Sequence, residues 1–223
     1  MMICKPNFQK AQSAAEEILV SADWINSFPI KTKKLIREFS DISFCTYNEA
    51  KIKGVDMECF GSNDALLFES NGRYIIFYNE KVASKARLRF SLIHEFGHYY
   101  LEHKLDNDIS KELYDKQEIE ANFFAAELLM PSCLIRELSH RGININRQYL
   151  IENFGVSNEA AGKRIEYLNK TSLINFNDDS QNLHDLILCK FSDFLCYTSG
   201  WQNSFDYDYD DEEFMQHERD QWR

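Results

Sequence analysis

The chain has 223 residues, of which 44% are hydrophobic and 14% aromatic. This apolar content is sufficient for a hydrophobic core and argues against a largely disordered chain. The formal net charge of −11 disfavours a broad phosphate-binding surface, so we expect no direct contact with nucleic acid.

The cysteines and the N-terminus bear on the compartment. The six cysteines are scattered and show no CxxC spacing, which favours reduced thiols over a disulfide framework or a cysteine metal site. The N-terminal sequence MMICKPNFQK lacks the apolar segment of a signal peptide. No stretch approaches the ~20 apolar residues that a membrane span requires. These features predict a soluble cytoplasmic protein without membrane contact.

The first elements are helical. Apolar residues recur with helical period from Gln9 to Trp24, which predicts an amphipathic helix, and Phe28-Pro29 ends it. A second helix is predicted from Lys31 to Phe39, and Ile42 to Tyr47 reads as a short strand.

Residues 65–80 carry the clearest β pattern. Two apolar segments, Leu66–Phe68 and Tyr74–Tyr78, flank Asn71-Gly72, a favoured pair for a type I′ hairpin turn. Two interpretations stay open: a half-buried sheet with a purely structural role, or an edge strand that holds a peptide substrate in extended form.

The next helix contains the motif HExxH. We predict that it starts after an N-cap at Ser84 and runs to about Lys104. Its residues His94 and His98 are four apart and therefore share one face, so both imidazoles can bind one metal ion. Zinc suits neutral imidazole ligands. Glu95 lies beside the expected position of the water and is the candidate general base.

A third long helix is predicted from Gln117 to Met130, ended by Pro131. Glu118 falls on the small and apolar face of this helix, which should point into the core. A carboxylate aimed into a core is costly unless it is paired or bound to metal, so Glu118 is the candidate third ligand. Glu120 should then face solvent, and its replacement by Gln should be nearly neutral.

Three further side chains are weaker candidates. Glu102 is four residues beyond His98, but a helix that continues straight would carry it away from the ion. His103 is expected on the surface or behind a ligand rather than as a ligand itself. His140 follows the third helix and could reach the substrate or the oxyanion through a turn.

The segments FSLIHEFGHYYLEH and EIEANFFAAELLMP together resemble the ImmA/IrrE family of metallo-endopeptidases, over roughly residues 10–170. The resemblance implies that His94, His98 and Glu118 bind zinc and that Glu95 is the base. It also implies a regulatory protease that cleaves a helix-turn-helix repressor, often one encoded on a phage or another mobile element.

The segment from 146 to 169 is predicted to form two short helices around Phe154–Ser157, with Ser157 as N-cap of the second. The turn is similar to that of a helix-turn-helix. Basic residues are few, so a helical subdomain that packs on the protease is favoured over DNA binding. Farther on, Leu186 to Tyr197 is apolar enough to be ordered. The acidic run Asp206–Glu213 is either a solubilising end or a docking arm for a basic substrate.

The predicted fold class is α+β: a mostly helical zinc-protease core with a small antiparallel sheet, followed by a small helical subdomain. We expect a zincin-like protease domain over residues 1–135, the helix-turn-helix-like subdomain over 136–174 and a C-terminal extension with the acidic tail over 175–223.

The expected function is that of a Zn²⁺-dependent endopeptidase that hydrolyses a regulatory protein, such as a helix-turn-helix repressor of a mobile element or stress regulon, or an antitoxin. The alternative is a non-proteolytic anti-repressor or toxin-like binding module that sequesters its partner. The two differ in whether Glu95 is needed for the effect. The sequence leaves the scissile bond and the oligomeric state open.

Overall fold

The computed structural model describes residues 5–55, 64–105, 108–171 and 178–196. The predicted acidic run at 206–213 lies outside this part of the chain. Within it the elements are, in chain order, α1 (Phe8–Ser21), α2 (Thr32–Phe39), β1 (Ser43–Thr46), α3 (Tyr47–Ile52), β2 (Ala65–Ser70), β3 (Arg73–Tyr78), α4 (Lys85–Tyr100), α5 (Lys111–Leu129), α6 (Ser132–His140), α7 (Arg147–Phe154), α8 (Asn158–Thr171), α9 (Asp178–Lys190) and α10 (Ser192–Cys196). The predicted α+β class, mostly helical with a small sheet, is confirmed.

The sheet is mixed rather than purely antiparallel. Its strand order is β1-β3-β2. The predicted hairpin of β2 and β3 is antiparallel, and its turn residues Asn71 and Gly72 have φ angles of 53° and 74°, as a type I′ turn requires. β1 joins β3 in parallel, with Ser43 opposite Ile75. A strand pattern does not encode the direction in which a separate strand joins a hairpin, so this part of the prediction was wrong.

The short helix α3 was absent from the prediction, although its start is marked in the sequence. The Thr46 hydroxyl accepts a hydrogen bond from the Glu49 backbone N–H at 3.1 Å, and the Glu49 carboxylate accepts one from Thr46 N at 2.7 Å. This reciprocal pair is a capping box. The Thr-x-x-Glu spacing was therefore the signal that could have identified the helix.

The HExxH helix α4 packs closely against α5, and Gly97 allows the approach. A Cβ atom at Gly97 would lie 2.9 Å from the Cδ1 atom of Phe124 and 3.4 Å from the Cα atom of Ala121. A side chain at this position would therefore require the Phe124 ring to shift. The glycine costs helix propensity but lets α5 bring its side chains close to those of α4.

Helix α4 ends at Tyr100, four residues before the predicted end at Lys104. The last turn is closed by two backbone hydrogen bonds, Glu102 N to Tyr99 O at 3.1 Å and His103 N to His98 O at 2.9 Å. Glu102 has a φ of 58°. This is the Schellman pattern of helix ends. The sequence did not reveal it because the left-handed position holds glutamate instead of the usual glycine.

The predicted turn between α7 and α8 is present. Gly155 ends α7 in the left-handed conformation with φ 65°, and the Ser157 hydroxyl caps α8 by accepting from Ala160 N at 3.2 Å. Farther along α8, Arg164 is buried and pairs with the buried carboxylate of Glu127 on α5, while its Nε atom donates to Met130 O at 2.9 Å. This ion pair ties α8 to the end of α5.

Helix α9 packs against α1 through polar contacts as well as apolar ones. His184 lies 2.8 Å from the Glu16 carboxylate in a buried pair. The ammonium group of Lys190 donates to Leu19 O at 2.7 Å and Val20 O at 3.1 Å, which satisfies carbonyl groups at the end of α1. The segment predicted to be ordered from Leu186 onward is thus helical within the described residues.

No helix in the described part of the chain has both the length and the apolar character to cross a membrane. Buried side chains from α1 to α10 belong to one hydrophobic cluster. The division of the chain at residues 135 and 174 stays a prediction.

Candidate metal centre

His94 and His98 extend from one face of α4 toward Glu118 on α5. Their Nε2 atoms lie 3.1 Å apart. The Glu118 carboxylate reaches both rings, with Oε2 3.4 Å from His94 Nε2 and Oε1 3.3 Å from His98 Nε2. Within the described residues, these three form the one group of three or more His, Cys, Asp or Glu side chains able to hold a metal ion.

The spacing of the donor atoms on these three side chains fits a small tetrahedral ion. Donors that each lie about 2.0–2.2 Å from a tetrahedral zinc are about 3.3–3.6 Å apart, close to the 3.1–3.4 Å separations of the three side chains. Two imidazoles and one carboxylate are also a ligand set found in catalytic zinc sites, where a fourth position stays open. The residues present therefore fit a metal of this kind.

The electrostatics of the group favour an ionised carboxylate. Burial alone would raise the pKa of Glu118, but the adjacent imidazoles of His94 and His98 outweigh it and hold this pKa well below its usual range. Burial likewise would lower the pKa of His94, yet the Glu118 hydrogen bond and the nearby carboxylates raise it overall. The group thus has the charge complementarity of a cation site.

Glu95 lies beside this group and is held by the sheet. Its Oε2 atom accepts a hydrogen bond from the backbone N–H of Leu67 in β2 at 2.8 Å. Burial raises the pKa of the Glu95 carboxyl, which makes the carboxylate a stronger proton acceptor. The Leu67 N–H points away from β3, because it bonds to Glu95. The outer edge of β2 therefore borders the candidate metal centre.

Tyr114 is a residue of this region that sequence reasoning missed. It lies one turn before Glu118 on α5 and is half exposed. The charge of Glu118 is the main cause that raises the pKa of Tyr114, with burial and a hydrogen bond to Glu118 next and a smaller contribution from Glu95. The Tyr114 side chain therefore lies beside the Glu118 carboxylate. The i, i+4 spacing from Glu118 was the signal that could have identified it.

Glu120 is buried, so the prediction that it faces solvent was wrong. Its side chain is 7% exposed and lies 3.2 Å from His103 Nε2 and 3.7 Å from the Lys116 ammonium. It also accepts a hydrogen bond from the backbone N–H of Asn7. The reason is that α5 is covered on more than one side. A helix with a single buried face has a solvent side, but α5 packs between α4 and α1.

His103 lies behind His98 rather than on the surface. The Nδ1 atoms of the two rings are 3.2 Å apart, and the His103 side chain is 6% exposed. Burial and the neighbouring His98 lower the pKa of His103 to about 4, so the ring is neutral at neutral pH. The other two weak candidates, Glu102 and His140, are not part of the three-residue group either.

Comparisons with known proteins bear on the same segment. The family model described as the IrrE N-terminal-like domain matches residues 54–166. Metallopeptidase ImmA of Bacillus subtilis (strain 168) is 33% identical over 73 residues, which are 31% of this chain and 41% of that protein. Uncharacterized immunity region protein 2 of Bacillus phage phi105 is 26% identical over 113 residues, which are 49% of this chain and 66% of that protein.

The chain therefore spans less than two thirds of each of these relatives. The family match covers half of the chain and includes both helices that supply His94, His98 and Glu118. This match, together with the geometry of the three side chains, shows that the chain belongs to the ImmA/IrrE family of peptidases.

Proposed function

We propose that the protein is a zinc-dependent endopeptidase, with His94, His98 and Glu118 as metal ligands and Glu95 as general base. The observation that carries the proposal is the convergence of two imidazole nitrogens and one carboxylate, whose nearest donor atoms are 3.1–3.4 Å apart. Glu95, the residue that follows His94, lies beside them and points to the edge of β2. The family match supports the same chemistry.

When bound, zinc would supply a Lewis acid that polarises the scissile carbonyl and lowers the pKa of a water molecule toward ~7. The chain itself supplies the proton transfers. The Glu95 carboxylate accepts a proton from the attacking water and returns it to the amine leaving group. Its bond from Leu67 N at 2.8 Å fixes the carboxylate against β2, so the base is held in one orientation before substrate binds.

The substrate is proposed to be an extended segment of a protein. The outer edge of β2 borders the site, and an extended peptide can add to such an edge by backbone hydrogen bonds. Phe68 on β2 is 38% exposed and offers an apolar contact to a bound segment. These observations support the second of the two interpretations of the hairpin, in which the edge strand holds the substrate.

The partner is proposed to be a regulatory protein, such as a helix-turn-helix repressor or an antitoxin. One relative is named a metallopeptidase, and the other is named for the immunity region of a phage. The first name supports a peptidase, and the second supports a role connected with a mobile element. A cytoplasmic location and the absence of direct nucleic-acid binding remain part of this proposal.

The test compares Glu95→Gln with the unaltered protein. Each is co-expressed with a candidate helix-turn-helix repressor, and the partner's intact mass is then measured. The matched control is Glu112→Gln, which alters an exposed glutamate at the start of α5. We expect two fragments whose masses sum to the partner plus one water with the unaltered protein and the control, and an intact partner with Glu95→Gln.

The rival function is a binding module that sequesters its partner without cleavage. Glu95 is not proposed as a ligand, so Glu95→Gln should retain zinc and the helical circular dichroism signal. The binding module would be established instead if Glu95→Gln released the partner from its operator as fully as the unaltered protein does and neither protein produced fragments.

A further inference from the structure

His98 is contacted on both of its ring nitrogens. Its Nε2 atom faces Glu118 Oε1 at 3.3 Å. Its Nδ1 atom lies 3.2 Å from Nδ1 of His103. The other nitrogen of His103, Nε2, is 3.2 Å from Oε2 of Glu120. The side chains of His98, His103 and Glu120 therefore form a continuous series of contacts that starts at the candidate metal centre and runs away from it.

The backbone conformation at the end of α4 places His103 in this series of contacts. The Schellman turn at the end of α4 folds the chain back, so that His103 N bonds to His98 O at 2.9 Å. Glu102 adopts a φ of 58° in this turn, a conformation that is unfavourable for a residue other than glycine. The ammonium group of Lys10 donates to Leu101 O at 2.7 Å and holds the same turn against α1.

The hydrogen-bond partners of His103 and His98 indicate which ring nitrogen of each residue carries a proton. An ionised carboxylate only accepts, so the contact with Glu120 requires a proton on Nε2 of His103. A neutral His103 then has an acceptor at Nδ1, which requires a proton on Nδ1 of His98. The remaining nitrogen of His98, Nε2, is the atom that faces His94 and Glu118, and its lone pair would bind the ion.

Glu120, the last side chain of this series of contacts, has further partners of its own. Glu120 is buried, accepts a hydrogen bond from the Asn7 backbone N–H, and has the Lys116 ammonium 3.7 Å away. Asn7 caps α1, because its side chain accepts from Lys10 N at 3.0 Å. The Glu120 carboxylate is thus held by contacts from the N-cap of α1 and from α5.

We propose that His103 and Glu120 are positioning residues for the metal centre: they hold His98 with its proton on Nδ1 and its Nε2 lone pair directed at the ion. The inference rests on the proposed metal site and adds how one of its ligands is prepared. Partners of this kind behind a metal-binding histidine typically contribute 10–100-fold to metal affinity. Neither residue contacts the reacting atoms.

The first experiment is a competition titration of zinc against a chromogenic chelator. His103→Leu removes both nitrogens, whereas His103→Gln keeps one acceptor and one donor at similar reach. The control is His140→Leu, which alters an exposed histidine at the end of α6. We expect about 10–100-fold weaker zinc binding for His103→Leu, a smaller loss for His103→Gln and no change for the control. Equal affinity in all four proteins would overturn the proposal.

The second experiment reads the tautomer of His98 directly. In the metal-free protein labelled with ¹⁵N-histidine, two-bond ¹H–¹⁵N correlation spectra should show His98 protonated on Nδ1 in the unaltered chain. His103→Leu should give a mixture of tautomers, and His103→Gln should restore the Nδ1 form. A merely structural role would lower the melting temperature without a change of tautomer.

The two experiments separate this proposal from the proposed function. An unaltered protein that binds no zinc would refute the metal site, while the tautomer of His98 would still test the proposed roles of His103 and Glu120. Tight zinc binding with His98 protonated on Nε2 in the metal-free protein would leave the metal site in place and overturn the roles of His103 and Glu120.

Discussion

Glu118 and Glu120 are two residues apart on α5 and have different surroundings. The Glu118 carboxylate is 31% exposed and faces two histidines of α4. The Glu120 carboxylate is 7% exposed and faces His103 on the other side of the metal-site histidines. Both carboxylates meet positive or hydrogen-bond-donating groups, so neither is buried without compensation. One helix therefore supplies a direct contact to the candidate metal centre and a supporting contact behind it.

At this scale, Tyr114 gives a first prediction. Its side chain lies beside Glu118, and we propose that its hydroxyl donates a hydrogen bond to the substrate oxygen on which negative charge would develop during hydrolysis. We expect Tyr114→Phe to lower kcat by about 10²-fold, the scale for one lost oxyanion donor, with unchanged zinc affinity. Steady-state kinetics and zinc titration of the same preparation measure both. An unaltered kcat would make Tyr114 an ordinary surface residue.

The position of a side chain can be predicted from sequence when its own helix determines it, and cannot when a distant segment does. The HExxH spacing fixes the relative direction of His94 and His98 within one helix, so their proximity followed from local geometry alone. The placement of Glu120 did not, because its burial is caused by α1, a helix more than a hundred residues away in sequence. Contacts with distant segments set the environment of such residues, and helical periodicity does not report them.

At the scale of elements, the packing of α4 on α5 sets the distance between the ligands. Gly97→Ala would place a methyl group 2.9 Å from the Phe124 ring and 3.4 Å from the Ala121 backbone. The buried Phe124 ring must shift to admit the methyl group, so we expect a loss of about 1–3 kcal/mol in unfolding free energy, partly offset by the helix propensity that alanine gains. Because Glu118 would move away from both histidines, zinc affinity should fall as well.

Chemical denaturation and zinc titration of Gly97→Ala measure these two effects. Ser91→Ala is a useful control, since it alters the same helix at a position where the hydroxyl bonds to Arg87 O at 3.1 Å. A Gly97→Ala protein with unchanged zinc affinity would show that the ligands do not depend on this close contact.

Elements with a strong local pattern were predicted well, and those that depend on unusual turn chemistry were not. The hairpin and the α7–α8 turn follow from Asn71-Gly72 and Gly155, residues that readily adopt positive φ. The early end of α4 depends on Glu102 in the same conformation. Glutamate rarely adopts it, so nothing in the local sequence pointed to a helix end there.

At the scale of the whole molecule, a buried ion pair joins α8 to α5. Arg164 and Glu127 have side chains that are 1% and 0% exposed. The Glu127 carboxylate also accepts a hydrogen bond from Ser132 N at 2.8 Å, and Arg164 donates to the Met130 carbonyl. The pair thus connects the helix-turn-helix-like segment to the helix that carries Glu118.

Removal of one partner should leave the other charge buried and uncompensated. We expect Arg164→Met to lower the unfolding free energy by about 3–5 kcal/mol. The double variant Arg164→Met with Glu127→Gln should recover part of this loss, because the neutral amide can still accept from Ser132 N. Urea denaturation of the two proteins tests the coupling. Equal stability of the single and double variants would mean that the charge of Glu127 is not the cause.

The measurement that tests the central claim most directly is the zinc affinity of Glu118→Gln. The carboxylate is proposed as one of three ligands, and a neutral amide is a poorer ligand in such a site. We predict one zinc ion bound by the unaltered protein and by the control Glu112→Gln, and for Glu118→Gln a loss of affinity larger than the ~10–100-fold typical of a supporting residue. Retention of full zinc affinity by Glu118→Gln would contradict the assignment of the metal centre.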